Sequence, residues 1–455
     1  MKNSRQILIE YILGRGMKRK QQLFISVILS GAVFSLFFFS EFFRLKWIQP
    51  DVKIWGPVHM ADGIPRQTVE LAQALKDKYT VEIKTTFFEK TDVPQSILPL
   101  LNKKYQKKAR VVIIEDIIWH PGLKIDRFFK TTEGKDQIRV AYSMWEATQI
   151  IPQWVLMMNL YFDAVIVPDP FLVDVYKNSG VTLPVFYIPL GLDLKELLKA
   201  PLKEEKKEGP FIFAALSSGL ERKNLVTTIK AFAKALGNNP GARLYINCRF
   251  ADPDVREAIL SEIQKQGCSN ISYTEFQLKK DAYVKFLKSV DCLLSLTKGE
   301  GFSIQPREAM ALGIPVIVSD NTAQSTICKT GLVKVVPSAI AEPAYPFHDP
   351  HPCGHQFNCD VDEAALAIED VYNNYQQYLS KGPLMRKWAS GYDYSELTPI
   401  YESIVSPKQV ILGKTNEFLP DGTMITDSEQ LYNKYVKVIR LDQPFIRSDK
   451  KKKGA

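Results

Sequence analysis

The stretch Gly299-Glu300-Gly301-Phe302-Ser303-Ile304-Gln305-Pro306-Arg307-Glu308-Ala309-Met310-Ala311-Leu312-Gly313-Ile314-Pro315-Val316-Ile317-Val318 decides the fold of this chain. It follows the apolar run 292–296, which reads as a strand. A short helix follows the glycine-containing loop and should stop at Gly313, because glycine takes the left-handed cap and Ile314-Pro315 cannot continue a helix. A second strand is then expected over 316–318. The unit is strand, loop, helix, strand, and its ligand site lies at the carboxyl end of the first strand, where a helix amino terminus points free N–H groups at an anion. Gly301, Phe302 and Ser303 would supply those amides. Glu300, read at the rim, and Glu308, one turn deeper, stand where a carboxylate would repel a phosphate, so they suit neutral hydroxyls on either side of one. Two hydroxylated groups flanking a diphosphate describe a nucleotide sugar.

Outward from this unit the chain alternates between strand and helix. Toward the amino terminus, strands are predicted at 52–57, 79–84, 111–114, 140–143, 164–167 and 185–188, with a helix at 66–75. After a Lys- and Glu-rich linker at 194–209, strands are predicted at 210–216, 243–247 and 271–273, with helices at 224–236, 254–266 and 281–289. A further helix is predicted from 362 to about 379. Such alternation implies parallel sheets covered on both faces. At 455 residues the chain exceeds one core, so two Rossmann-like domains facing a cleft are expected, at 50–193 and 210–383, with helices at 384–410 crossing back to the first domain.

The Glu-x7-Glu spacing of Glu300 and Glu308, with Gly-Glu-Gly-Phe before it and Glu-Ala-Met-Ala-Leu-Gly-x-Pro-Val-Ile around its end, resembles the signature of retaining GT-B glycosyltransferases of family 4, the group 1 type. Residues 143–168 and Pro189-Leu190-Gly191-Leu192-Asp193 resemble the acceptor-domain pattern and the interdomain segment of that family. The resemblance implies an enzyme that takes a nucleotide-diphosphate sugar as donor, with no metal or other cofactor, and a glycan, lipid or protein as acceptor. It places Glu300 on the donor sugar and Glu308 on the ribose.

Ser217-Ser218-Gly219-Leu220-Glu221-Arg222-Lys223-Asn224 resembles the family's diphosphate-binding loop, with Lys223 at the usual lysine. The family's Gly-Arg pair is missing: Ser217 and Ser218 stand in that area and Arg222 lies beside the lysine. Cations at a helix amino terminus are mildly costly, which favours a functional reason for both. Fixed cations there would hold the charge that grows on the departing phosphate, making Lys223 a catalytic candidate, and the resemblance adds Glu300, on the donor sugar, as the second. Gly63 resembles the Gly-rich turn that members of that family place against the donor phosphate. His120 and Glu146 are candidates on the acceptor side. Asp252-Pro253-Asp254 and Asp360-Val361-Asp362 spell Asp-x-Asp, but each precedes a helix and reads as a cap, so neither is assigned a metal.

Composition adds bounds. The net charge is +9, with lysines scattered over many segments, which argues against a nucleic-acid groove. A basic tail at 1–21 precedes an apolar run at 22–43, near the ~20 residues that span a bilayer. Without a small-x-small cleavage site it reads as an uncleaved signal-anchor, a single-pass transmembrane helix with its amino terminus in the cytosol. The six cysteines do not read as a disulfide framework. His348, His351, Cys353, His355 and Cys359 form a cluster in a proline-rich segment that reads as a surface insertion over the donor site rather than a zinc module. Residues 411–455 read as a tail. A sugar-nucleotide epimerase or a non-catalytic sugar-binding protein of the same fold are the rival readings.

Overall fold

A computed structural model describes residues 45–60, 62–90, 92–115, 137–206, 208–345 and 351–405. The expected anchor, both termini, His120 and His348 lie outside the described residues. Among the described residues no helix is long and apolar enough to cross a membrane.

Two parallel six-stranded sheets face each other. In the first, β1 (Val52–Val58), β2 (Val81–Phe88), β3 (Val111–Ile114), β4 (Ile138–Tyr142), β5 (Ala164–Val167) and β6 (Val185–Tyr187) lie in the order β2-β1-β3-β4-β5-β6. The second contains β7 (Phe211–Gly219), β8 (Ala242–Ala251), β9 (Ile271–Glu275), β10 (Cys292–Ser295), β11 (Val316–Asp320) and β12 (Lys334–Pro337), in the order β12-β11-β10-β7-β8-β9. β3 and β5 are unbroken apolar runs, buried at every position, as strands covered on both faces must be. In each sheet the chain fills one side of its first strand and then the other. The reversals fall between β1 and β3 and between β7 and β10, and a crevice opens outside the carboxyl ends of the strands there.

Several boundaries differ from the expectations for physical reasons. β8 runs on to Ala251 through a bulge that interrupts the side-chain alternation. The helix predicted at 362–379 is two helices, Val361–Asn373 and Tyr375–Leu379, broken at Asn374. The linker opens with the helix Lys195–Lys199, and Lys203 is anchored to the second domain through Asp291 at 2.6 Å. Residues 340–358 hold an antiparallel ribbon, β13 (Ile340–Pro343) with β14 (His355–Asn358), rather than only an irregular insertion.

The chain returns to its start through the helix Tyr394–Val405. Leu397, Ile400, Tyr401 and Val405 join the core of the first sheet, and the Tyr401 hydroxyl donates to the Pro189 carbonyl at 2.8 Å. Gly313 ends the signature helix at a φ of +73°, where a Cβ would also meet Leu202 at 2.8 Å. Gly313→Ala is expected to destabilise the protein by roughly 1–2 kcal/mol through the left-handed backbone alone; urea unfolding checks this.

Candidate active site

The crevice between the sheets encloses a cavity of about 1090 Å³. Its floor is the loop from β10 to the helix Ile304–Ala311. That loop is held open by its own backbone: the Glu300 N–H donates to Thr322 Oγ1 at 2.8 Å and the Glu300 carbonyl accepts from the Ala323 N–H at 3.2 Å. Ser303 takes a left-handed φ of +69°, a strained choice for a residue with a Cβ. Arg307, one turn into the helix and fully buried, fixes this geometry by donating to the carbonyls of Phe302 and Ser303. Its guanidinium lies 3.9 Å from the Phe302 ring centre and 4.5 Å from that of Tyr392.

Two helix amino termini meet over this floor. A Cβ placed on Gly63, the first residue of the helix Gly63–Leu75, would lie 3.4 Å from Ile304 Cδ1 of the signature helix. Neither Asp62 nor Ser303 caps its helix with its side chain among the described residues. First-turn amides have no intrahelical acceptor, so both helices offer N–H groups and positive dipole ends to the same space.

Charged side chains surround that space as paired groups. Lys223 Nζ lies 2.5 Å from Glu300 Oε1 and Arg222 Nη1 3.3 Å from Glu300 Oε2. Arg222 also reaches Glu146 at 3.0 Å and the Gly299 carbonyl at 3.0 Å. Glu300 is buried, not at the rim, and burial alone would raise its pKa; Lys223 and Arg222 outweigh it and hold the carboxyl below its ordinary value. Burial lowers the Lys223 ammonium, with Arg222 adding to the effect and Glu300 opposing it. The sequence reading separated a sugar-binding carboxylate from phosphate-binding cations; the structure joins them in one cluster. Glu146, expected on the acceptor side, belongs to the same cluster.

Glu308 is held from both domains. Arg66 of the first domain reaches its Oε1 at 2.9 Å, and the Tyr283 hydroxyl donates to its Oε2 at 2.5 Å. Arg66 also contacts Glu70 at 3.4 Å. Gly63, Gly301, Phe302 and Ser303 line the cavity with these groups. Arg66, Tyr283 and Arg249 were missed in the sequence. Arg66 carried a usable signal, since it is another cation in the first turn of a helix.

The histidine at the cavity is His59, at the end of β1. Its Nε2 lies 3.7 Å from Asp62, its ring packs edge-on against Phe87, and burial lowers its pKa. The ribbon β13–β14 clamps the first domain. The His355 N–H donates to Thr148 Oγ1 at 2.9 Å, and Cys353 Sγ donates to the Gln149 carbonyl at 3.3 Å. All six cysteines are free, so Cys353 and Cys359 do not pair. Asp360 caps its helix by accepting from the Asp362 and Glu363 N–H groups, whereas Asp252 stands at the cap position without capping. Among the described residues no group of three His, Cys, Asp or Glu side chains is placed to hold a metal.

Two Rossmann-like domains with an anion-receptive crevice between them define the GT-B architecture. Residues 199–339 match the family described as glycosyl transferases group 1. A curated relative, the uncharacterized glycosyltransferase MJ1059 of Methanocaldococcus jannaschii, is 28% identical over 159 residues. That match covers 34% of this chain and 36% of the relative, so the chain aligns with about a third of that protein's length. Among solved structures, Anabaena Alr3699/HepE in complex with UDP and glucose superposes with a TM-score of 0.59 at 12% identity, covering 78% of this chain and 99% of that one. Sucrose-phosphate synthase from Thermosynechococcus elongatus gives 0.58 at 16% identity, covering 79% and 99%.

Burial gives the first domain a pH signature. It pushes the Glu115 carboxyl up to about 8, against opposing contacts from Thr68 and Gln67, and Glu70 up to about 7, against Arg66. A carboxyl with a raised folded-state pKa binds its proton more tightly when folded. Its contribution is complete below the ordinary value near 4.5 and is lost as pH rises through 7 to 8. Thermal midpoints should therefore fall between pH 6 and 8, and Glu115→Gln should flatten that fall. Midpoints that do not move over this range in the unaltered protein would contradict the assignment.

Proposed function

We propose that this protein transfers a hexose from a nucleotide-diphosphate sugar to an acceptor with retention of anomeric configuration. The observation that carries the reading is the cluster of the half-buried Lys223 and Arg222 with the buried Glu300 beside two converging helix amino termini, at the crevice where the second sheet reverses. As the glycosidic bond breaks, negative charge grows on the β-phosphate. Lys223, Arg222 and the amides of Gly63, Gly301, Phe302 and Ser303 would hold that charge without a metal. Glu300 would accept hydrogen bonds from sugar hydroxyls while keeping the two cations in place. Glu308, oriented by Arg66 and Tyr283, would do the same for the ribose. The acceptor would attack from the face the leaving group vacates, so no protein nucleophile is required. Structures of Anabaena HepE with UDP and with UDP-glucose make UDP-sugars the first donors to try.

The acceptor is a glycan, lipid or protein. Residues 22–43 are proposed as a single-pass anchor with the amino terminus in the cytosol and the catalytic domain across the membrane; protection of the large domain from added protease in sealed vesicles tests the orientation, and digestion without detergent would reverse it.

Nucleotide release from a panel of nucleotide sugars, with and without acceptors, tests the activity. Release that rises with an acceptor supports transfer. Conversion of the sugar nucleotide without release would indicate an epimerase, and binding without turnover a sugar-binding protein. Lys223→Ala is expected to slow turnover about a hundredfold or more, by analogy with loss of one preorganised donor, and activity should survive EDTA. Glu308→Ala should weaken nucleotide binding by roughly 1.5–3 kcal/mol for each charge-assisted hydrogen bond lost; unchanged affinity by calorimetry would remove Glu308 from the site.

A further inference from the structure

The inference concerns Arg249 and rests on the donor reading above. β7 and β8 pair in register from Phe211 with Ala242 to Ser217 with Cys248, and the next pair is Gly219 with Ala251. Arg249 and Phe250 together therefore face the single residue Ser218. Such a bulge bends its strand and re-aims side chains, and bulges concentrate beside active sites. Here Ser218, Arg249 and Phe250 all line the cavity.

The Arg249 guanidinium lies 4.5 Å from the Phe250 ring centre and extends into the cleft, where its Nη2 meets Asp62 Oδ1 of the facing domain at 2.6 Å. Asp62 immediately precedes Gly63. It occupies the N-cap position of the helix Gly63–Leu75, yet its carboxylate is turned to Arg249 and, at 3.7 Å, to His59. A cation thus hangs beside the first turn of one helix, and that turn lies close enough to the amino terminus of the second that a Cβ on Gly63 would reach Ile304.

The other cations at this place are held by carboxylates less exposed than Asp62. Lys280 is bound by Asp193, which is 22% exposed, while Lys223 and Arg222 are bound by Glu300, and Arg66 by Glu308 and Glu70, carboxylates with less than a tenth of their side chains exposed. Drawing Lys223, Arg222 or Arg66 away would leave a buried carboxylate short of a partner, which is expensive. The Asp62 side chain is 40% exposed, so water can take over when Arg249 leaves, and an exposed ion pair of this kind is weak. Arg249 is the cation an arriving anion can recruit at least cost, and its planar fork suits two phosphate oxygens.

We propose that Arg249 binds the diphosphate of the donor, and that Asp62 is its competitor, holding the guanidinium across the cleft until the diphosphate displaces it. The pair then acts as a selector for a second phosphate group and supplies a cation from a strand that the Lys223 loop does not include.

Calorimetric titration of the full-length protein with UDP, GDP, ADP and CDP, and with the monophosphate of the tightest base, tests this. Arg249→Ala should weaken the diphosphate about tenfold or more, a loss in line with one charge-assisted contact, and the monophosphate by less than about threefold. Asp62→Asn should act in the opposite direction and tighten the diphosphate, because the competitor is gone, and Arg249→Lys should recover part of the affinity. If Arg249→Ala does not unfold cooperatively, Arg249→Gln, which keeps the stem over Phe250, takes its place. Equal losses on mono- and diphosphate, no loss, or weakening in both Arg249→Ala and Asp62→Asn would overturn the proposal and leave the pair as an interdomain tie. Should Lys223→Ala lose diphosphate binding while Arg249→Ala keeps it, the donor reading stands and this inference alone fails. Absence of binding to all four diphosphates would sink both.

Discussion

Opposite charges meeting across the cleft hold the two domains in the arrangement on which the site depends. Asp62, Glu146, Asp169 and Asp193 of the first domain face Arg249, Arg222, Arg307 and Lys280 of the second, and Arg66 faces Glu308 in the reverse sense. The backbones approach closely between these pairs: a Cβ on Gly299 would fall 2.0 Å from the Glu146 carbonyl oxygen. Cations and carboxylates that meet at a cleft can be partly reassigned to a ligand carrying both phosphates and hydroxyls. Nothing similar holds for an apolar interface, which offers such a ligand no partners. The same design makes closure sensitive to ionic strength, most at the exposed Asp62–Arg249 pair and least at the buried Arg307.

Arg307 shows how the second domain sustains this arrangement. A fully buried guanidinium is costly unless its donors are matched. Here two carbonyls of the signature loop both accept from Nη1, and the rings of Phe302 and Tyr392 with Asp169 at 3.8 Å offset the rest of the charge, while Nε and Nη2 make no hydrogen bond among the described residues. The same contacts keep Ser303 left-handed and the helix amino terminus aimed into the crevice. Glu300 is then delivered to Lys223 and Arg222 by the end of β10, on the other side of the sheet reversal from β7. The topology therefore places the carboxylate and its cations together, although 77 positions separate Lys223 from Glu300 in the chain.

Local chemistry made much of the fold legible in the sequence. Gly313 and Pro315 punctuate the signature unit, and the β-branched apolar runs at 111–114 and 164–167 read as strands buried on both faces. What could not be read depends on domain placement or on broken periodicity. Arg66 and Glu308 lie 242 positions apart, and neither announces the other. His120 drew attention among the histidines of the first domain, whereas His59 lines the cavity, because proximity to the crevice follows from the end of β1 and not from any motif. The bulge at Arg249 and Phe250 hid the last residues of β8 by disturbing the alternation that identifies a strand. Proline-rich sequence concealed the ribbon β13–β14, since its pairing is set by the contacts of Thr148 and Gln149 and not by local propensity.

The most direct measurement of the central claim is proton NMR of the sugar product in the first minutes of turnover, in EDTA, with whichever α-linked UDP-, GDP- or ADP-hexose the protein consumes. Attack from the face that the leaving group vacates, at a donor site built from Lys223, Arg222 and helix amides, predicts that the first product formed is the α-anomer. A β-anomeric first product, or turnover that stops in chelator and returns with a divalent cation, would contradict it.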